Sequence, residues 1–343
     1  MKSFRSCGAL VLTFVTLTLQ TNHAAELVWT NLAGGLWSTA ANWSPNQVPA
    51  AADSAFITNS GSYTVTVNAA ATIANLTLGD TNATGIQKLT VSAGTFTVTN
   101  VTAATNSILV LSAGTLVTSG AAELLGEVNQ AAGTWQLNTP ININIYNLTN
   151  GELRGANCVI TNFNWLGGQL NSDALGTTTT IPVGGTLNIS SSTAKFMSYW
   201  VAPGRTLINN GTATWSGAGI TGQGGATLNN AGSLTLQGDF VFAWGGSGNA
   251  PLLLNSGTLT RASGSGSFNL SIAILNNSGT ANIDSGSLNI TGQLLNSGSL
   301  SIAAGTLAVA STQGTSTNTG TLTLGANSFA DFTSGIATLG GTL

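Results

Sequence analysis

Short phrases centred on glycine recur along this chain at intervals near twenty residues. Examples are Ser112-Ala113-Gly114-Thr115-Leu116, Asn229-Asn230-Ala231-Gly232-Ser233-Leu234, Asn255-Ser256-Gly257-Thr258-Leu259 and Asn296-Ser297-Gly298-Ser299-Leu300. No other feature restricts the fold as much. A unit this short cannot bury its apolar residues alone and must do so against its neighbours, which makes a solenoid. The phrase glycines stand at positions 94, 114, 133, 151, 168 and 185, with steps that shorten gradually along the series. A less regular series follows at 204, 232, 257, 279, 298 and 320. A second spacing lies inside the first: positions 204 and 211, 225 and 232, 257 and 264, 279 and 286, and 298 and 305 are each seven apart. Turns every six or seven residues divide a coil into three sides. Each side holds a short strand and a turn where Gly or Asn accepts positive φ.

The strands carry the period of two expected of half-buried sheet. Thr95-Phe96-Thr97-Val98-Thr99 and Thr321-Leu322-Thr323-Leu324 send Phe, Val or Leu one way and Thr the other. Equivalent strands stacked coil on coil give parallel sheets around a narrow interior of Leu, Val and Ile. The predicted fold is all-β, a right-handed parallel β-helix (solenoid) with three-sided coils of about 17–25 residues. A strict hexapeptide period would favour a left-handed helix. A β-sandwich would also give short strands between Gly and Asn turns, but its strands rarely repeat one phrase at one phase. Roughly twelve coils rising about 4.8 Å each make a rod on the order of 60 Å long. Asn229, Asn255, Asn276 and Asn296 occupy matching turn positions and are expected to stack in ladders along the axis. Insertions near 219–225 and 245–248 are expected on loops.

The two ends of the chain read differently from the repeats. Lys2 and Arg5 followed by an apolar stretch from Cys7 to Leu19, with small residues at Ala24 and Ala25, read as an export signal over residues 1–25. The stretch is too short for a comfortable membrane span. Removing it takes away His23, the single histidine, and leaves five basic residues against ten acidic ones. A surface with that balance does not suit nucleic acid or anionic lipid. Cys158 then has no disulfide partner and is expected as a small buried residue. Residues 26–70 hold Trp29, Trp37 and Trp43, Pro45 and Pro49, and no period of twenty, as expected of a cap over the open apolar end of a solenoid. The repeat domain is expected over 71–343, stopping in mid-repeat at its C-terminal end.

The cap segment carries a family resemblance. Trp37-Ser38-Thr39-Ala40-Ala41-Asn42-Trp43-Ser44-Pro45, followed by Val48-Pro49-Ala50-Ala51-Ala52-Asp53-Ser54-Ala55-Phe56-Ile57, resembles the W-x(n)-N-W-S-x(n)-V-P-x(n)-D-x-A-x-I opening of secreted bacterial β-helix proteins. These include autotransporter-like proteins with β-strand repeats and proteins bearing a C-terminal PEP-type sorting signal. Ala74-Asn75-Leu76-Thr77-Leu78-Gly79 and the phrase around Gly94 are similar to the repeat of that group. The resemblance implies a β-helix on the outer cell surface or outside the cell. Its motifs mark architecture more than activity.

Few charges are available for chemistry, since only 5% of the residues carry one. A mature chain without histidine cannot build a Ser-His-Asp or Cys-His site, and a zinc site would lack its commonest ligand. No phosphate-binding loop motif is present, and Asp80, Asp239 and Asp284 are too isolated for a calcium-binding repeat. No catalytic residue, metal ligand or cofactor is therefore assigned. Glu123 and Glu127, read as one strand, would lie about 13 Å apart, too far for a glycosidase pair. Asp173, Asp239 and Arg205 could converge only across coils. Aromatic residues fall in successive coils at Trp135, Trp165, Tyr199, Trp200, Trp215 and Trp244. Trp135 and Trp215 sit in apolar slots where internal stacking is expected. Tyr199 and Trp200, with Trp165 and Trp244, are the candidate ligand-binding residues. The sequence thus points to an exported, non-enzymatic surface, matrix or adhesin-like solenoid whose partners are glycans or neighbouring cells. The rival is a polysaccharide-binding or polysaccharide-processing β-helix, and a third possibility is a structural role with ends stacked into fibres.

Overall fold

The structure is a computed structural model and describes residues 24–174, 176–198, 204–334 and 336–339. Most of the predicted export segment, and Tyr199 and Trp200 with it, lie outside the described residues. The chain is all-β. Its single helical element among the described residues is a 3₁₀ turn at Ala40–Asn42. The strands coil into a three-sided parallel solenoid. Side 1 runs from Glu26–Trp29 through Ser54–Ile57 to Thr206–Asn209 and on to Ile336–Leu339. Side 2 includes Tyr63–Val67, Thr212–Trp215 and Thr321–Leu324, and side 3 includes Thr134–Leu137, Glu152–Gly155 and Ser328–Ser334. The spacing of seven is one side of this triangle: Gly257 stands at the corner before Thr258–Ser263 of side 2, and Gly264 follows that side.

Early coils are tighter than later ones. The strands Ala122–Gln130, Ile141–Leu148 and Cys158–Trp165 each bend through a corner and serve both side 1 and side 2. Residues 158–159 then pair with Thr178–Ile181, whereas 162–165 pair with Thr186–Ile189, so the next coil opens a turn at Pro182–Gly185. The glycine series changes corner here. Gly94, Gly114, Gly133, Gly151 and Gly168 stack before side 3, but Gly185 begins a separate column before side 2 that continues through Gly211, Gly232, Gly257, Gly279, Gly298 and Gly320. The final step of the first series, from Gly168 to Gly185, is therefore a change of column. One coil, from Thr178 to its stacked partner Thr206, is longer than the sequence led us to expect.

Both columns bring the backbone against the coil below, a Cβ at Gly114 falling 2.3 Å from Gly94 O, and the first column adds a second reason for glycine. Gly114 has φ of +72°, a left-handed conformation, as the sequence suggested. Gly257 does not. A Cβ built there would lie 2.0 Å from the carbonyl oxygen of Gly232 in the coil below. Only glycine permits that approach.

Inside the corner beside this second column runs an asparagine ladder. Asn209, Asn230, Asn255, Asn277, Asn296 and Asn318 face inward, each Nδ2 donating to the next Oδ1 at 2.6–2.8 Å. The same Nδ2 groups reach backbone oxygens of side 2, as Asn255 does to Thr280 O at 2.9 Å. Asn255 and Asn296 are in the ladder as expected. Asn229 and Asn276 are not, because a shift of one residue on a strand turns the side chain to the opposite face and puts their neighbours inward. The ladder has a polarity and an end: one coil earlier the position is Ile181, and Asn209 Oδ1 is left buried without a donor.

The rest of the interior is mainly aliphatic, with three aromatic stations. Trp29, Trp37 and Trp43 pack edge to face at the N-terminal end, with ring centroids 4.7–5.1 Å apart, and Trp37 meets Phe96. Trp43–Ser44 pairs antiparallel with Glu26–Trp29 and covers that strand's outer edge. Parallel stacking already begins at Ser54–Ile57, inside the segment read from sequence as cap. Farther on, Trp135, Tyr146, Phe163 and Trp165 form one internal stack, and Trp215, Phe242 and Phe268 another.

Replacing Asn255 by Leu leaves Asn230 Nδ2 without its acceptor and Asn277 Oδ1 without its donor. Chemical denaturation of Asn255→Leu should show a loss of roughly 2–4 kcal/mol. Gly257→Ala should destabilise at least as much, through the clash with Gly232.

Candidate functional site

Of the aromatic candidates within the described residues, one is misplaced by the sequence reading. Trp165 is inward-facing and fully buried, stacked on Phe163 at 6.1 Å, because it ends a strand whose alternate residues, Phe163 among them, point into the core. No ligand reaches it. Trp244 ends the strand Val241–Trp244, is half-buried, and its indole N–H donates to Ser247 O at 3.4 Å. Trp135 and Trp215 are in the core, as expected.

The charged candidates also separate. The strand holding Glu123 and Glu127 bends between Leu124 and Glu127, so Glu123 faces out from side 1 and Glu127 from side 2, where it accepts from Asn147 Nδ2 at 2.8 Å. Asp173, Asp239 and Arg205 do not converge either. Asp239 pairs with Arg261, and Asp173 pairs with Arg154.

That last pairing is the centre of a polar cluster on side 3. Parallel stacking brings Thr134 over Glu152 over Gln169, and Gln136 over Arg154. Asp173 follows the side-3 strand of the next coil and reaches back over them. Arg154 donates from Nε to Asp173 Oδ1 at 2.9 Å and from Nη2 to the same oxygen. Gln136 Nε2 donates to Asp173 Oδ2 at 2.7 Å. On the other side of the guanidinium, Glu152 Oε1 lies 3.6 Å from Arg154 Nη1 and accepts from Asn171 Nδ2 at 2.7 Å. One arginine thus holds two carboxylates, each a third exposed or less, between two amides. Burial alone would push the Asp173 carboxyl up, but the hydrogen bonds from Arg154 and Gln136, with the charges of Arg154 and Arg205, outweigh it and hold the group below its usual value. A carboxyl held ionised is a poor proton donor at neutral pH. The cluster suits recognition: a fixed comb of acceptors and donors along an outward side, open to hydroxyl groups.

Sequence reasoning missed this cluster because it set Asp173 with Asp239 and Arg205 and sought the other carboxylate pair within one strand. The signal was available. In a chain so poor in charge, Glu152, Arg154 and Asp173 fall close together, and the first and last are separated by about one coil.

Most of the remaining basic residues have gone inward. Three of the five basic residues beyond residue 25, Lys195, Arg205 and Arg261, are buried. Arg205 meets no carboxylate. Its five N–H groups reach Gly155 O, Ala156 O, Asn171 O, Thr178 O, Thr179 Oγ1 and Cys158 Sγ at 2.7–3.4 Å. It clamps two preceding coils at the corner between sides 3 and 1, where the long coil begins. Cys158, buried as expected, is part of that clamp. Lys195 donates to Thr193 O at 3.0 Å and Ser191 O at 3.4 Å, and desolvation pushes its pKa down to about 8.

Comparison with known proteins finds no family model, no curated protein and no solved structure that matches the chain.

The Lys195 ammonium loses its proton in the folded chain near pH 8 but in the unfolded chain near pH 10.5. Between these values the unfolded state binds more protons, so stability rises with pH there. Denaturation at pH 8 and at pH 9.5 should differ by roughly 1–2 kcal/mol in favour of the higher pH. Lys195→Met should abolish the difference. Tyr63, pushed up to about 12 by burial, opposes the trend only above pH 10, outside that window.

Proposed function

We propose that this chain is an exported, non-enzymatic β-solenoid that works as a cell-surface or matrix protein and contacts hydroxyl-rich glycans along side 3. The observation that carries this reading is the Gln136, Glu152, Arg154, Asn171 and Asp173 comb. Gln136 and Arg154 sit in register on successive coils and Asp173 is held across them by hydrogen bonds, so little side-chain freedom is lost on binding. Beyond it the outward positions are mostly Thr, Ser and Asn, which favours many weak contacts over one strong one. The second reading, a polysaccharide-processing β-helix, draws support from the same two carboxylates around one arginine. The lowered Asp173 pKa removes that residue as the proton donor such an enzyme needs.

Export is part of the proposal, on the basic and apolar start of the chain and the resemblance to secreted β-helix proteins. One contact supports a particular processing point. Asp53 is buried, and its Oδ1 accepts from the Ala25 N–H at 2.8 Å while Oδ2 accepts from Ala50 N–H at 2.8 Å. A chain cut after Ala24, one residue before the end read from sequence, would place its new ammonium group on that carboxylate, a charge-assisted bond in place of a neutral one. The exported protein should begin at Ala25 by N-terminal sequencing; any other first residue refutes this cut.

On glycan-coated surfaces, Arg154→Ala and Asp173→Ala should each weaken binding about three- to tenfold without altering the melt of the fold. Retention equal to an unrelated solenoid removes the adhesive reading. Release of new reducing or unsaturated ends from a polysaccharide, lost in Asp173→Ala, would establish the enzymatic one.

A further inference from the structure

Side 2 changes character along its length. In the early coils its outward amides bond one another, with Asn147 donating to Asn129 and Asn164 to Asn147, and Thr186 donating to Asn162. From Thr212 onward the outward positions form two straight rows. One row is Thr212, Ser233, Thr258, Thr280, Ser299 and Thr321, and the other is Thr214, Thr235, Thr260, Asn282, Ser301 and Thr323. The register between these residues is unbroken. Strand pairing sets the spacing within a row at about 4.8 Å, and two residues of a parallel strand set the spacing between rows at about 6.6 Å.

Three further properties distinguish this array from an ordinary polar face. None of its side chains makes a hydrogen bond within the described residues. No charged side chain projects from it; the nearest, Asp239 and Asp284, stand in turns at its border. The other border is the stacked column Gly211, Gly232, Gly257, Gly279, Gly298 and Gly320, from which no side chain rises, so the face is flat at that margin. Most members are Thr, whose branching at Cβ restricts χ1, so that equal rotamers on stacked strands set hydroxyl over hydroxyl and methyl over methyl. The backbone beneath is locked by coil stacking and the asparagine ladder.

We propose that this part of side 2 binds the surface of an ice crystal. A rigid, uncharged net of equally spaced hydroxyl and methyl groups holds water molecules at positions set by the strands. Its spacings are close to those between oxygen atoms along the rows of hexagonal ice. Each hydroxyl contributes little alone, and the contacts add because the array meets a surface that is itself periodic. A charge would hold its own oriented shell of water and break the pattern. Crystalline polysaccharide is also periodic, but its flat ring faces pack on aromatic side chains, unlike the hydroxyl contacts proposed for side 3, and these two rows contain none.

The purified protein should concentrate in a slowly growing ice front and inhibit recrystallisation. Thr260→Lys and, on a later coil, Ser301→Lys should each reduce both effects about tenfold, since one charge disturbs an array that acts collectively. Asn276→Lys, exposed on side 1, should leave them unchanged, and melting curves identify any variant that fails to fold. The proposal is overturned by exclusion of the wild-type protein from ice. It is equally overturned by equal losses in Asn276→Lys, or by retention on crystalline cellulose or chitin through side 2 with no effect on ice. Because the glycan reading rests on Arg154 and Asp173 on side 3, either can fail alone.

Discussion

The close approach of one coil's backbone to the next at the corners sets everything else in this molecule. At the strands, neighbouring coils are held by ordinary parallel pairing. At the corner before side 2 the chain turns so close to the coil below that any Cβ would overlap a carbonyl oxygen, as it would at Gly232, Gly257, Gly279, Gly298 and Gly320. That contact fixes the phase of each coil on the last. Phase then decides which residues stack, and stacking generates both the buried asparagine ladder and the outward rows. The ladder in turn holds the corner from within, because each amide bonds to its neighbour and to the backbone of the next side. A half-satisfied polar chain in a core is costly, so the run of six asparagines works as a unit.

Charge follows the same logic. A narrow triangular interior has little room for ionised groups, yet Lys195, Arg205 and Arg261 lie inside it. Each sits at or near a corner, where backbone carbonyls point inward and are short of donors. Arg205 resolves this most completely, offering five N–H groups to four carbonyls, a hydroxyl and a thiol. Its place, where the coils lengthen, suits a clamp across a discontinuity. With most cations used this way, the outer faces are left mainly to Thr, Ser and Asn, with few charges beyond the Glu152, Arg154 and Asp173 cluster, among them Lys88, Glu123 and Glu127.

The family-like opening phrase has a structural explanation in this chain. Trp37, Asn42, Trp43 and Asp53 are all buried and all engaged: the Trp43 indole donates to Trp37 O, Asn42 bridges Leu36 and Asn31, and Asp53 ties Ala25 to Ala50. The motif therefore builds the end of the rod.

The architecture was legible in the sequence because a solenoid is local. Glycines twenty apart and turns seven apart each describe contacts that the same short phrase makes in every coil, so composition and period suffice for the fold, the three sides and most inward residues. What escaped was anything depending on phase across coils. Asn229 and Asn230 differ by one residue, and only the register shows that Asn230 faces inward. Trp165 and Trp244 look alike in sequence, yet one ends an inward-facing register and the other stays at the surface. Gly185 continued a numerical series while standing at a different corner. The side 3 cluster and the hydroxyl rows of side 2 combine residues from different coils that become neighbours only once the stacking is fixed. Sequence determined the repeating unit, because that is a matter of propensity and period. Tertiary structure decided the surfaces, because a surface is made by how one unit is set upon the next.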